Sequence, residues 1–166
     1  VKVDQLALFK TLKMPIFMVT GNHEYYIQDS KSKLAQLSDY NLQLLNNESH
    51  VQDDLCLIGL SDNQSTRAQQ EQLQSLISTQ HFNIALVHKP SLWPTVPEQT
   101  DLTLCGHTHN GQLFPFNLLV RLQFPYAYGT YQNDQKWLYV SSGAGTWGPR
   151  MRLGTFNEVV LLNLKI

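Results

Sequence analysis

Three short apolar stretches, within residues 15–20, 83–88 and 101–105, each break off into polar side chains able to bind metal. The first ends in Gly21-Asn22-His23-Glu24, the second in His88, and the third in Gly106-His107-Thr108-His109. Short continuous apolar runs are the mark of buried strands, which need layers covering the sheet on both sides. Their chemistry-bearing residues stand at the strand ends, where α/β sheets gather their ligands. Gly106 frees the backbone to turn at the end of its strand, so that His107 and His109 can converge on one site. Neutral imidazole is a common ligand for zinc, manganese and iron, and a convergent pair points to metal. Three such strand ends from one chain form one constellation.

The remaining pattern fills in a mixed order of elements. Leu6, Phe9 and Leu12 follow helical spacing up to the stop at Pro15, and residues 30–37 form a second amphipathic segment. Residues 42–45 and 55–60 read as strands joined by the polar stretch 46–54. Thr66-Arg67-Ala68-Gln69 has the form of a capping box, opening a helix whose apolar face is Leu73, Leu76 and Ile77. Residues 110–126, rich in aromatics and proline, read as a long irregular loop. Residues 126–131 and 136–142 flank a turn at Asn133-Asp134, and residues 158–165 read as a closing strand. Helices alternate with strands first, and strands then follow strands. That order favours an α/β or α+β layered sheet over a barrel or a helix bundle.

The chain has 166 residues, enough for one domain with a real core and too few for two. Its net charge of −1 and lack of a basic block argue against binding through many nucleic-acid phosphates or an anionic membrane surface. Cys56 and Cys105 lie inside apolar runs and read as buried free thiols. No apolar run has the length of a membrane span. The chain enters at once on a helical pattern, as an internal segment would, and any targeting sequence or membrane anchor is expected upstream. The compartment is not legible.

These motifs resemble those of the calcineurin-like metallophosphoesterase superfamily. Gly21-Asn22-His23-Glu24 looks like its Gly-Asn-His-Asp/Glu motif, His88 like its isolated strand-end histidine, and Gly106-His107-Thr108-His109 like its terminal Gly-His-x-His. The longer strings Val19-Thr20-Gly21-Asn22-His23-Glu24-Tyr25-Tyr26 and Gly145-Thr146-Trp147-Gly148-Pro149 resemble a bacterial membrane-associated phosphodiesterase-like branch. The resemblance implies an α/β (α+β) fold, a layered β-sandwich flanked by helices, and a two-metal site. Carried over, Asn22, His88 and His107 would hold one divalent ion and His109 the other, with manganese, zinc and iron all compatible. His23 would stay off the metals, touching the phosphate or protonating the leaving oxygen. The substrate would be a small phosphoester, most simply a phosphodiester; its binding residues are not decodable.

One departure stands out. The family opens with Asp-x-His and then Gly-Asp-x-x-Asp, and neither occurs here. By this resemblance residues 1–166 form a single, N-terminally incomplete domain, its last two thirds, lacking the first strands and the bridging aspartate. Partial or no metal occupancy, impaired hydrolysis, and self-association through an exposed sheet edge are then expected. Asn110 replaces a glycine frequent in the resembling branch. A non-catalytic binding module on a degenerate phosphoesterase fold is the main alternative. An amidohydrolase-type His-x-His site is a distant one, since that barrel needs roughly 250 residues.

Taken singly, the other candidates have bland readings. His50 and His81 read as surface histidines. Arg150 and Arg152 could clamp a phosphate but read as solvated, and Trp93, Trp147 and Tyr126 as core or loop anchors as readily as a substrate mouth.

Overall fold

The computed structural model describes residues 3–165. Two sheets carry the chain. Strands β1 (Ile16–Met18) and β2 (Leu42–Leu44) form a two-stranded parallel sheet. Six further strands form a mixed sheet: β3 (Glu48–Gln52), β4 (Leu55–Gly59), β5 (Phe82–Leu86), β6 (Leu102–Cys105), β7 (Gly129–Asn133) and β8 (Lys136–Val140). Their spatial order is β3-β4-β5-β6-β8-β7, with β4, β5, β6 and β8 mutually parallel and antiparallel strands at both edges. The fold is mixed α/β, a six-stranded sheet flanked by helices.

One face of the large sheet is closed. Helix α2 (Thr66–Leu76) sets Leu73 into it, and the 3-10 turn Pro90–Thr95 adds Leu92 and Trp93. These pack on alternate strand residues, among them Ile58, Ala85, Cys105, Leu138 and Val140, all buried. The intervening residues Leu57, Leu86, Leu104 and Tyr139 are only half-buried. The apolar runs thus face a full core on one side and a loose cover on the other. Residues 158–165 lie along that second face, where Leu162 and Leu164 line a cavity of about 470 Å³ with Leu102 and Trp137.

Four expectations are corrected here. The opening helical segment is a 3-10 helix, Val3–Thr11, with Leu8 exposed. Residues 46–54 are not merely a connector, because edge strand β3 lies within them; it is polar, and only its central His50 is half-buried, stacked on Phe17. Residues 110–126 are not wholly irregular but contain helix α3 (Phe116–Gln123). Residues 158–165 have strand-like alternation yet pair with no strand among the described residues; they are tethered by Glu158, which accepts hydrogen bonds from Tyr128, Tyr139 and the Ser142 N–H. The second amphipathic segment forms helix α1 (Ser30–Ala35), followed by a 3-10 turn. The cap of α2 is Ser65, whose Oγ accepts from Ala68 N–H, while Gln69 reaches inward to the Ser61 carbonyl.

Candidate metal centre

The parallel strands deliver their carboxyl ends to one place. Asn22 follows β1, His88 follows β5, and His107 and His109 follow β6. Asn22 Oδ1 lies 2.8 Å from His88 Nε2, and His107 Nδ1 lies 3.0 Å from that same nitrogen. The rings of His88 and His107 meet edge to face, their centroids 4.8 Å apart. Gly21 makes this approach possible: a Cβ there would sit 2.7 Å from two atoms of the His88 ring. Its N–H donates to Glu24 Oε2 at 2.7 Å, and Tyr25 bridges Thr20 and Ser61 through its hydroxyl. Each residue of the Gly-Asn-His-Glu-Tyr string except His23 therefore builds the wall of the site or one of its donors.

The site opens into a cavity of about 380 Å³. Its lining includes Asn22, His23, His88, His107 and His109, together with the apolar side chains of Phe116, Val120 and Trp147. His23 is exposed and its ring packs edge-on to Tyr26. His109 is set apart from the close cluster: its Nδ1 faces the Arg152 guanidinium at 3.5 Å. The structure thus brings Asn22, His88 and His107 together, holds His23 at the mouth, and places His109 against a cation. Cys105 is buried, its thiol pushed far up by desolvation, and it contributes no ligand. Trp93 is buried in the core and Tyr126 stacks on Tyr131, leaving Trp147 alone of the three at the mouth.

The histidine loop is strained. His107, His109, Asn110 and Gln112 all have positive φ, from 49° to 71°. For residues with a side chain the left-handed conformation costs roughly 1 kcal/mol or more each and persists only where the surroundings impose it. Residues 145–155 hold two of them, His109 and Gln112. All three guanidinium nitrogens of Arg152 are engaged: Nε with Asn157 Oδ1 at 2.7 Å, Nη1 with the His109 carbonyl at 3.0 Å, and Nη2 with the Ser142 and Gly145 carbonyls at 2.6 Å. The side chain of Gln112 exchanges hydrogen bonds with Trp147, and its carbonyl accepts from Thr155 Oγ1. Arg152 is a brace for the loop rather than a free phosphate clamp, and Arg150 is exposed. Sequence reasoning passed over Gln112 and Arg152 in this role. It also passed over Asp62, buried three residues beyond β4, whose carboxylate pairs with Lys89 at 2.8 Å beside His88. The only signal was position, since Lys89 follows His88 and Asp62 lies two residues past an apolar run.

Desolvation dominates the electrostatics. It lowers the pKa of His107 to about 4, reinforced by His88 and Lys89 and opposed by Asp62. It lowers that of His88 too, against the pull of Asp62 and Glu24, and that of His109, where Arg152 adds to it. All three rings are neutral at pH 7, with lone pairs available. The folded chain therefore binds fewer protons than the unfolded one between pH 6.5 and about 4, so metal-free stability rises with pH across that window. In excess chelator the urea midpoint should fall steadily from pH 7 to pH 4, less so for His107→Gln. A midpoint flat across that range would contradict the burial of neutral rings.

The donor set fits one divalent cation. Two atoms bound at about 2.1 Å and at right angles lie about 3 Å apart, the spacing seen here. Asn22 Oδ1 and two imidazole nitrogens suit borderline cations, and all three are neutral, leaving both charges of the ion to attract an anion. Among the described residues no three His, Cys, Asp or Glu side chains cluster around a point, and the close triad depends on Asn22. For a second cation the described site offers His109, with Arg152 beside it.

The model of the calcineurin-like phosphoesterase family matches residues 2–111. An uncharacterized metallophosphoesterase of Campylobacter jejuni is 36% identical over 156 residues, covering 90% of this chain and 42% of that protein. One of Helicobacter pylori is also 36% identical, over 89% of this chain and 42% of its own length. A bovine transmembrane protein with metallophosphoesterase domain is 33% identical over 92% of this chain and 39% of its own. The chain thus spans about two fifths of the length of these relatives. No solved structure matches it.

Proposed function

The chain belongs to the calcineurin-like phosphoesterase family, and from that premise we propose that it carries part of a dinuclear site for phosphodiester hydrolysis. Calcineurin-like phosphoesterases generally use divalent metals. In this reading Asn22, His88 and His107 hold one ion, and His109 contributes to the second, with ligands from an upstream segment. The supporting observation is the convergence of Asn22 Oδ1 and His107 Nδ1 on His88 Nε2.

When bound, the ions supply Lewis acidity at a phosphoryl oxygen and a water of lowered pKa. The chain's own residues do the rest. His88 and His107 stay neutral because they are half-buried, so they need shed no proton to act as ligands. Gly21 admits the His88 ring, and Arg152 with Gln112 fixes the loop that carries His107 and His109. His23, exposed at the mouth, can hand a proton to the leaving oxygen without occupying a ligand position. Phe116, Val120 and Trp147, which line the same cavity, offer apolar surface to the organic part of the phosphoester.

The test is manganese-dependent hydrolysis of a chromogenic phosphodiester by this chain and by the full-length protein. Activity in the full-length protein supports the reading; none in either, with metal supplied, overturns it. In the active form His23→Ala should keep its manganese content and lose about 10²-fold or more in turnover, the usual scale for a general acid. Loss of manganese would instead move His23 into the ligand set. A non-catalytic phosphate-binding module is the second reading, favoured by a close triad that contains no carboxylate. It predicts phosphate binding without turnover.

A further inference from the structure

Helix α3 has no buried residue. Phe114 just before it, and Phe116, Leu118, Leu119 and Leu122 along it, are each more than half exposed, Leu122 by 84%. Scattered exposed apolar residues are ordinary, but a contiguous set beside a functional cavity marks an interaction surface. The helix docks through its other side, where Gly111 has no side chain to obstruct Asn117. A second exposed segment continues the patch: Trp147, Met151 and Leu153 are each more than half exposed. The two are tied together by Phe114 N–H donating to the Leu153 carbonyl at 2.8 Å.

Charge identifies the occupant. From Leu102 to Asn157 the sequence contains a single acidic residue, Asp134, in the β7–β8 turn, against Arg121, Lys136, Arg150 and Arg152. Lys136 is buried and Arg152 is consumed by loop carbonyls. Arg121, on α3, and Arg150, between Trp147 and Met151, are exposed. An apolar, aromatic surface with exposed guanidinium groups, on a chain of net charge −1, complements a layer that is apolar within and anionic at its face. We propose that this surface docks on an anionic lipid bilayer. Helix α3 lies in the interface plane, Arg121 and Arg150 meet lipid phosphates, and the exposed side chains of Leu118, Leu119, Leu122 and Met151 enter the apolar layer. The net charge argues against binding spread over a whole anionic surface and leaves room for a small local cluster of arginines, which is what this proposal uses.

The experiment needs neither metal nor turnover, so its failure is separate from any failure of the hydrolase reading. An environment-sensitive fluorophore is placed on Leu119→Cys in the full-length protein, where Cys56 and Cys105 are buried. A control carries it on Gln70→Cys, exposed on α2. Vesicles of phosphatidylcholine with 30% phosphatidylglycerol should blue-shift the label at 119 and bring it within reach of lipid-borne quenchers. The label at 70 should stay aqueous even if the protein is also anchored elsewhere. Pure phosphatidylcholine should give a much weaker response. Reversing both exposed arginines, R121E with R150E, should lower partitioning at least about tenfold, with melting unchanged as the check on folding. A second label at Leu122→Cys should repeat the result. An aqueous signal at 119 and 122 on anionic vesicles would overturn the proposal. So would an apolar signal without lipid: reversal on dilution would assign the patch to a second copy, and persistence would assign it to another segment or a protein partner.

Discussion

His107→Ala in the full-length protein is expected to lower metal-dependent phosphodiester turnover by at least about 100-fold. Its manganese affinity should fall with it. Losing even a residue that merely supports a ligand costs 10–100-fold, and in the proposed site His107 is a ligand itself, its Nδ1 3.0 Å from His88 Nε2. Removing it leaves two donors, Asn22 Oδ1 and His88 Nε2, against a doubly charged ion. His88→Ala should cost about as much, and the double variant little more than either, because residues that act as one unit are not additive. Titration of manganese together with steady-state kinetics checks this. Turnover within threefold of the parent would remove His107 from the ligand set.

Gly21→Ala should be nearly as damaging, although glycine has no side chain to offer an ion. The new Cβ would lie 2.7 Å from Cε1 and Nδ1 of His88, closer than real side chains approach. The backbone has little room to yield: Gly21 is buried, its N–H is held by Glu24, and Thr20 is tied to Tyr25. The imidazole is the part that must move, taking Nε2 away from Asn22 and His107. Manganese affinity should drop at least about tenfold, while the overpacking costs roughly 1–3 kcal/mol of stability. Parallel metal titration and urea unfolding separate the two effects. An unchanged affinity with lowered stability would show that the backbone, not the ring, had shifted.

The parts legible in the sequence are those whose cause is local. Apolar runs ending in histidine placed β1, β5 and β6 because a buried strand needs an unbroken run and a site needs its end. The hairpin at Asn133-Asp134 was legible because Asp134 takes the positive φ such a turn requires. Helix α3 was hidden because Pro115 and Pro125 bracket only a few residues whose apolar side meets no core. Strand β3 was hidden because an edge strand with only its central residue half-buried has no apolar alternation to show. Residues 158–165 do have the alternation, but a strand also needs a neighbour, and local pattern carries no information about that. Arg152 is the extreme case. Its role depends on carbonyls of Ser142, Gly145 and His109, and nothing in the string Pro149-Arg150-Met151-Arg152 reveals them.

That brace has a thermodynamic consequence. Because residues 145–155 grip His109 and Gln112, opening the brace and relaxing that end of the loop are one local equilibrium. Any ion or phosphate bound by the loop must then slow amide hydrogen exchange at Trp147, Leu153 and Thr155, far along the chain from any ligand. By linkage the effect is mutual. A change that loosens the far segment weakens binding by the same free energy that binding lends to its protection.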